Sequence, residues 1–344
     1  MKKLILTLTA GLCIAFLGRG QNNLKPPLAL VQTLEMPEIP TFMFAGDLQV
    51  DLKRDRLFAA LQATKSVGVF DLKTGKQIAS MPVEYPHTVM YMSEFDQLYV
   101  TDQSKSEPSL KIYDGKNYHL VKLIKLQARA DAAVYDPDLK QFFVDNGGAA
   151  AKQDYSLISV IDTTTGTLIG DIKVPGETLE ALTLEPSSSR LYVNMRDEDE
   201  VGIVDRKKRT FLEAWRVTKG HSPTAIALDE KHHRLFVACR STDMHGDIVV
   251  FDTQTGRELD SLPIGGMVDE LNYDEPSGRL YASCGTGEIT VYQLTDADKY
   301  ALLGRIDTGI MARSGLLVPE LNRYFSSVPR MGTQMAKILV FKVQ

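Results

Sequence analysis

The amino-acid sequence predicts an all-β protein, a seven-bladed β-propeller with four antiparallel strands in each blade. Three observations predict it. One sequence unit recurs seven times along the 344 residues. Each unit holds short runs of β-branched and aromatic residues that are bounded by turn residues, as strands are. No stretch shows the sustained 3.6-residue periodicity of an amphipathic helix. Four short strands in a unit of about 40–45 residues are typical of a propeller blade.

A four-residue marker identifies each unit. It consists of a basic or polar residue, a Leu or aromatic residue, an aromatic residue, and a small or β-branched residue. An apolar segment such as 225–228 precedes it and predicts the first strand of the blade. A polar loop follows it, then a third strand that ends in Asp (158–162), a turn, and a fourth strand (167–174). The seven markers recur every 41 to 49 residues and begin at Arg56, Gln97, Gln141, Arg190, Arg234, Arg279 and Arg323.

The two ends of the repeat region complement each other. The seventh unit stops at its third strand, residues 338–343, and leaves no residues for a fourth strand. Residues 29–36 precede the first complete unit and read as an additional strand. Pairing this N-terminal strand with the last blade would close the ring and cover an exposed strand edge. We therefore predict a single propeller domain over residues 29–344, preceded by a linker over residues 21–28.

The N-terminus reads as a secretory signal. Residues 1–3 are Met-Lys-Lys, residues 4–17 form an apolar run, and residues 18–20 are Gly-Arg-Gly. A charged start, a short apolar core and small residues at its end are typical of a cleaved signal peptide. The run is shorter than the about 20 residues of a membrane span. We predict a signal peptide over residues 1–20, no membrane span in the mature chain, and export to a periplasm or to the medium; an uncleaved anchor is the alternative.

Charge and cysteine content restrict the remaining possibilities. The net charge of −5 argues against a protein that neutralises nucleic-acid phosphates, so we expect no nucleic-acid partner. Cys239 and Cys284 occupy equivalent positions in neighbouring units. On a seven-fold ring, strands spaced at about 4.8 Å put such Cα atoms roughly 9–10 Å apart. A disulfide needs less than about 7 Å. We predict free, partly buried thiols.

The repeat motifs resemble those of a known family. Residues 98–102 (LYVTD) and 191–194 (LYVN) look like the Tyr-Val-Thr-Asn signature of the YVTN β-propeller repeats. Residues 158–166 (ISVIDTTTG) and 221–229 (HSPTAIALD) match the other two parts of that repeat. The resemblance covers residues 29–344 and implies an exported bacterial propeller. Related propellers include lactonase-like hydrolases and domains attached to redox enzymes, so the resemblance implies a scaffold more than one activity.

One face of the predicted ring is the candidate functional face. The long and variable connections fall on it, at residues 102–109, 146–155, 240–246 and 329–337, where functional residues commonly lie. The first strands of the blades begin on the same face, around the mouth of the central channel. Six of the seven blades place an ionisable residue at or beside this start. The candidate ligand site at the channel mouth is Asp47, His87, Asp131, Glu180, Asp269, Glu270 and Arg313.

Two functions fit this pattern. The first is a non-catalytic binding protein, expected to be a monomer, that recognises a protein partner or a small polar ligand through this face. The alternative is a metal-dependent, lactonase-like hydrolase whose carboxylates hold a divalent ion as cofactor. The lactonase propellers set Glu, Asn and Asp at the mouth, whereas this ring lacks Asn and includes His87 and Arg313. Polar strand starts can also simply face a hydrated channel. The sequence carries no Gly-x-Ser-x-Gly, His-Glu-x-x-His or Cys-x-x-Cys motif, which favours a binding protein over an enzyme.

Overall fold

The computed structural model describes residues 25–36, 39, 42, 45–296 and 298–344. The predicted signal peptide, residues 1–20, and the first half of the predicted linker, residues 21–24, lie outside the described residues. The described ranges contain 28 strands, labelled β1–β28 in chain order, and four short 3-10 helices. Among these residues, no helix has the length and apolarity required to cross a membrane.

The strands form seven four-stranded antiparallel sheets, which are the blades of a propeller. Blades 1 to 4 follow the chain without a crossover. Their strands are β2 (Ala45–Asp51), β3 (Arg56–Leu61), β4 (Ser66–Asp71) and β5 (Gln77–Pro82); β6 (Pro86–Met92), β7 (Gln97–Asp102), β8 (Ser109–Asp114) and β9 (Leu120–Lys125); β10 (Ala133–Asp136), β11 (Gln141–Gly147), β12 (Tyr155–Asp162) and β13 (Thr167–Pro175); and β14 (Leu179–Leu184), β15 (Arg190–Met195), β16 (Glu200–Asp205) and β17 (Thr210–Arg216).

Blades 5 and 6 repeat this order, and blade 7 takes strands from both ends of the repeat region. Their strands are β18 (Pro223–Asp229), β19 (Arg234–Cys239), β20 (His245–Asp252) and β21 (Glu258–Gly265); β22 (Val268–Asp274), β23 (Arg279–Cys284), β24 (Glu288–Asp296) and β25 (Lys299–Asp307); and β26 (Ser314–Val318), β27 (Arg323–Val328), β28 (Lys337–Val343) and β1 (Leu28–Glu35). The 3-10 helices are Gln62–Thr64, Gly148–Ala151, Arg196–Glu198 and Pro319–Leu321.

The ring closes through its two ends, as the sequence predicts. Strand β1 pairs antiparallel with β28 from Leu28 opposite Val343 to Glu35 opposite Lys337, with one irregularity near Val31. In this sheet β26 lies innermost and β1 outermost. The strand begins and ends one residue earlier than the predicted 29–36. Its apolar side chains divide between core and solvent: Leu34 is buried, whereas Leu30 is exposed.

The hydrophobic core lies between the blades. Seven clusters of buried apolar residues each join two neighbouring blades, one for every interface around the ring. The second strands are buried on both faces because each blade packs on two neighbours. Aromatic residues of the markers meet across these interfaces: the ring centroids of Tyr99 and Phe142 lie 5.0 Å apart, and those of Tyr281 and Tyr324 lie 5.4 Å apart.

Cys239 and Cys284 are free and buried, which confirms the sequence prediction of unpaired thiols and places them deeper than the expected partial burial. Each ends the second strand of its blade. Burial is the main reason that the pKa of the Cys284 thiol rises to about 12, and burial raises that of Cys239 as well. Both thiols therefore stay protonated and unreactive in the folded protein at neutral pH.

Candidate functional site

Two adjoining cavities open where the first strands of the blades begin. We call them the inner cavity and the outer vestibule. The inner cavity has a volume of about 170 Å³, and its ionisable lining residues are Asp47, His87, Asp131, Glu180, Asp269 and Glu270. The outer vestibule has a volume of about 240 Å³, and its lining is Gln62, Tyr85, His87, Gln103, Arg129, Asp131, Glu180, Arg196, Arg240, Asp269 and Arg313.

The structure brings all seven residues of the predicted site to these two cavities. His87, Asp131, Glu180 and Asp269 line both of them. The remaining three divide by depth: Asp47 and Glu270 line the inner cavity, and Arg313 lines the outer vestibule. The first strands therefore converge at one mouth as the sequence predicts, while the ligand-binding role of these residues stays a prediction.

Backbone contacts fix the position of the charged groups in blades 2 and 3. The Thr101 hydroxyl, on the second strand of blade 2, donates to the Asp131 carbonyl (2.9 Å) and accepts from the Thr88 amide (2.8 Å). The buried Thr101 side chain thus links Thr88, which follows His87 in the sequence, to Asp131 at the channel mouth of the next blade. In blade 1, a Cβ at Gly46 would clash with the His87 carbonyl oxygen, so the small residue allows the first two blades to approach closely.

His87 and Asp131 form an ion pair between the two cavities. The His87 Nδ1 atom lies 2.7 Å from Oδ1 of Asp131, and the second oxygen of Asp131 lies 2.7 Å from Nη2 of Arg129. Burial alone would lower the pKa of His87, but the charges of Asp131, Asp47 and Asp269 outweigh burial and raise it to about 10. Burial acts to raise the pKa of Asp131, but His87 and Arg129 hold it well below its usual range. Both groups are therefore charged at neutral pH.

Four arginines surround the outer vestibule, and the site predicted from the sequence includes only one of them. Glu180 Oε1 accepts from Arg129 Nη2 and from Arg196 Nη1, each at 2.8 Å. Asp269 pairs with Arg240 and lies 2.8 Å from Nε of Arg313. Arg129 Nη1 also donates to the Leu179 carbonyl (2.6 Å), and Arg240 Nε to the Val268 carbonyl (3.0 Å). These bonds hold the guanidinium groups in place across several blades.

The repeat itself could have predicted two of the three arginines that the site predicted from the sequence lacks. The residue that directly follows the second strand reaches the vestibule in blades 1, 2, 4 and 5; these residues are Gln62, Gln103, Arg196 and Arg240. Each stands six positions after the start of its marker. Aligning only the starts of the first strands overlooks this second ring. Arg129 lies in a connection between blades, where no repeat position identifies it.

The carboxyl groups deeper in the channel are held closer to neutrality. Burial, together with the charges of Asp47 and Asp269, raises the pKa of Glu270 well above its usual range. Burial raises that of Asp47 as well. Asp145, behind Arg129, has a pKa raised chiefly by burial and then by the charge of Asp131. Ionisation of these deep carboxyl groups is therefore less favourable than that of an exposed acid.

The outer vestibule carries an excess of positive charge. Its lining holds four arginines and the protonated His87 against three carboxylates, those of Asp131, Glu180 and Asp269. Two acids beside the lining offset part of this excess: Asp197 accepts from Nε of Arg196 at 3.1 Å, and Asp145 lies 4.0 Å from Nη1 of Arg129, with a pKa that burial raises. The lining is thus more positive than the net charge of −5 of the whole chain would suggest.

The geometry gives the metal-dependent alternative little support. Across the part of the chain that the structure describes, no group of three His, Cys, Asp or Glu side chains is arranged to hold a metal ion. The carboxylates at the mouth that would serve as ligands, Glu180 and Asp269, instead accept from arginines. This arrangement suits the recognition of a polar or charged ligand better than the coordination of a cation.

The chain is similar to known proteins in its β-propeller fold alone. No protein-family model matches the chain, and no curated protein matches it. Among solved structures, the chain is similar to a chain of hydrazine synthase from Kuenenia stuttgartiensis, with 16% sequence identity and a TM-score of 0.72. The match covers 83% of this chain and 93% of that chain. At this identity the similarity shows the β-propeller fold alone, and the resemblance to YVTN repeats stays a prediction.

Proposed function

We propose that this propeller is a binding protein that recognises a small polar ligand or a protein partner through the channel mouth and the long connections around it. The observation that carries the proposal is the outer vestibule, an open cavity on which charged and amide side chains from nearly every blade converge. Even when they are paired, partly buried charged groups often stabilise a protein no better than apolar residues of the same volume, so a cluster of this size indicates a requirement other than stability.

The site is organised before any ligand arrives. The guanidinium groups of Arg129 and Arg240 each donate to a backbone carbonyl as well as to a carboxylate. The two arginines lie in connections, but these bonds anchor their guanidinium groups to the first residues of strands β14 and β22. A ligand that binds such groups loses less free energy to ordering of side chains than one that binds mobile groups. This pre-organisation favours recognition.

The proposal includes export. Residues 1–20 would direct the chain out of the cytoplasm and be removed, so that the propeller acts as a monomer in a periplasm or outside the cell. The charged start, the apolar run over residues 4–17 and the small residues that follow support it. Mass spectrometry of the protein secreted by a bacterial host tests it: we expect a chain that begins at residue 21, and a chain that keeps residue 1 contradicts cleavage.

A ligand screen tests the binding function. Ligand-observed NMR at low ionic strength would examine small polar compounds of both charge signs and short peptides. The Gln103→Trp variant fills the outer vestibule, and Gln254→Trp places the same side chain in the exposed turn between β20 and β21 as a control. We expect binding that is lost in Gln103→Trp and kept in Gln254→Trp. Compounds that bind both variants equally, or a screen without a binder that depends on Gln103, would contradict the proposal.

A further inference from the structure

The lining of the outer vestibule restricts the chemistry of its ligand. It contains charged, amide and phenol side chains and no aliphatic one, so the ring of Tyr85 and the arginine stems are all that it offers an apolar body to pack against. A volume of about 240 Å³ is enough for a small molecule and too small for a folded segment of another protein. The ligand that this cavity fits is therefore small and polar over its whole surface.

The positive charge of the outer vestibule further restricts the chemistry of the ligand. The lining itself carries two positive charges more than negative ones, and the flanking Asp197 and Asp145 offset part of this excess. A cation or a neutral molecule would leave this excess uncompensated, whereas an anion would balance it. The guanidinium group matches carboxylate and phosphate oxygens because its planar fork donates two parallel hydrogen bonds.

The arginines still have donors to offer. Within the described residues, the protein partners of Arg196 engage Nε and Nη1, and those of Arg240 engage Nε and Nη2. No described residue accepts from Nη2 of Arg196 or from Nη1 of Arg240. The two side chains are 30% and 24% exposed, so a solute that enters the mouth can reach them. They come from the neighbouring blades 4 and 5 and occupy equivalent positions in the repeat.

We propose that the outer vestibule binds a small anion through carboxylate or phosphate oxygens, with Arg196 and Arg240 as the direct donors. Arg313 and the protonated His87 add positive charge on the other sides of the same cavity. This inference rests on the proposed binding function and names its ligand class. The carboxylates of Glu180 and Asp269 act as positioning groups because they hold the arginines and do not themselves attract the ligand.

Isothermal titration calorimetry at pH 7 and low chloride tests the inference. The probes are malonate for a carboxylate source, inorganic phosphate for a phosphate source, and malonamide as a neutral control of the same size as malonate. We expect saturable 1:1 binding of malonate or of phosphate, no binding of malonamide, and weaker binding as salt is added. The stronger of the two anions identifies the source.

Variants locate the site. Arg240→Gln should weaken anion binding at least tenfold. Arg56→Gln should leave binding unchanged, since Arg56 pairs with Asp71 away from the vestibule and the two side chains are about as exposed as those of Arg240 and Asp269. If Arg240→Gln does not fold, Arg196→Gln is the second test, because Glu180 keeps its bond to Arg129 in that variant.

The failure of this inference differs from the failure of the proposed function. Neutral or cationic compounds that bind in a Gln103-dependent way, without any anion binding, would overturn the ligand class and leave the binding function intact. Anion binding that persists in both Arg196→Gln and Arg240→Gln would place the anion elsewhere and overturn the inference. A thermal stabilisation by Ca²⁺ or Zn²⁺ that is absent with anions would assign the mouth to a cation and overturn it as well.

Discussion

Raising the pH should destabilise the protein through His87 in particular. Its folded-state pKa of about 10 exceeds the unfolded value of 6.5. Below pH 6.5 both states are protonated and the stabilisation by Asp131 is complete. Between pH 6.5 and 10 only the folded state holds the proton, so this stabilisation is lost as the pH rises. At about 1.4 kcal/mol for each pH unit between the two pKa values, the upper limit is roughly 5 kcal/mol.

The expected magnitude is smaller than this limit. The His87 side chain is 29% exposed at a hydrated mouth, where solvent screens its interaction with Asp131. The free energy of unfolding that is lost in His87→Gln should be about 1–2 kcal/mol larger at pH 6 than at pH 9. Urea unfolding, followed by the fluorescence of Trp215, the one tryptophan of the sequence, measures this free energy at each pH.

The control for this prediction is the partner residue. In an Asp131→Asn background the effect of His87→Gln on stability should depend much less on pH, because the carboxylate that contributes most to the raised pKa is gone. If His87→Gln lowers stability equally at pH 6 and pH 9, folding does not raise the pKa of His87, and the imidazole is mostly neutral at pH 7. The positive excess of the outer vestibule would then be smaller by one charge, and the reasoning about the anion would be refuted.

Three further predictions concern the ring and its core. Leu34→Ala should cost about 2–4 kcal/mol in urea unfolding because the side chain is buried in the closing blade, whereas Leu30→Ala on the same strand should cost less than about 0.5 kcal/mol; equal costs would contradict closure. Cys239 and Cys284 should be labelled by a thiol reagent only in urea, and reduction should leave the intact mass unchanged; a gain of two hydrogens would reveal a disulfide. Asp136→Ala should cost about 3–5 kcal/mol because it removes the carboxylate that neutralises the buried Arg206, whose Nη1 donates to the neutral carbonyls of residues 185, 188 and 190; a change below about 1 kcal/mol would show that carbonyls or water suffice for the guanidinium group.

The fold could be predicted from the sequence because propeller blades repeat. The marker residues Phe58, Tyr99 and Tyr192 recur at blade spacing and all become core between blades. Closure followed from counting strands, since the last unit lacks one and the N-terminus supplies one. The exact ends of the closing strand could not be predicted from the sequence. The strand covers Leu28–Glu35 instead of 29–36, because no distinctive residue marks either end of an outermost strand.

The candidate site could be predicted from the sequence only in part. Strand starts that face a channel can be aligned across repeats, and this alignment predicts that Asp47, His87 and Asp131 are neighbours. This alignment identifies Arg313 but not the other three arginines, because Arg129 lies in a connection between blades and Arg196 and Arg240 follow the second strands of theirs. Whether such side chains turn inward depends on loop geometry that spacing does not encode. Their presence changes the chemistry of the mouth from a set of carboxylates to a set of ion pairs.

A crystal structure of the protein grown in malonate or phosphate at low chloride tests the account most directly. We predict an anion in the outer vestibule with oxygens about 2.7–3.1 Å from guanidinium nitrogens of both Arg196 and Arg240. The same crystals should show His87 still paired with Asp131. A metal ion held by Asp47 and Glu270, or an anion bound only on another face of the ring, would contradict it.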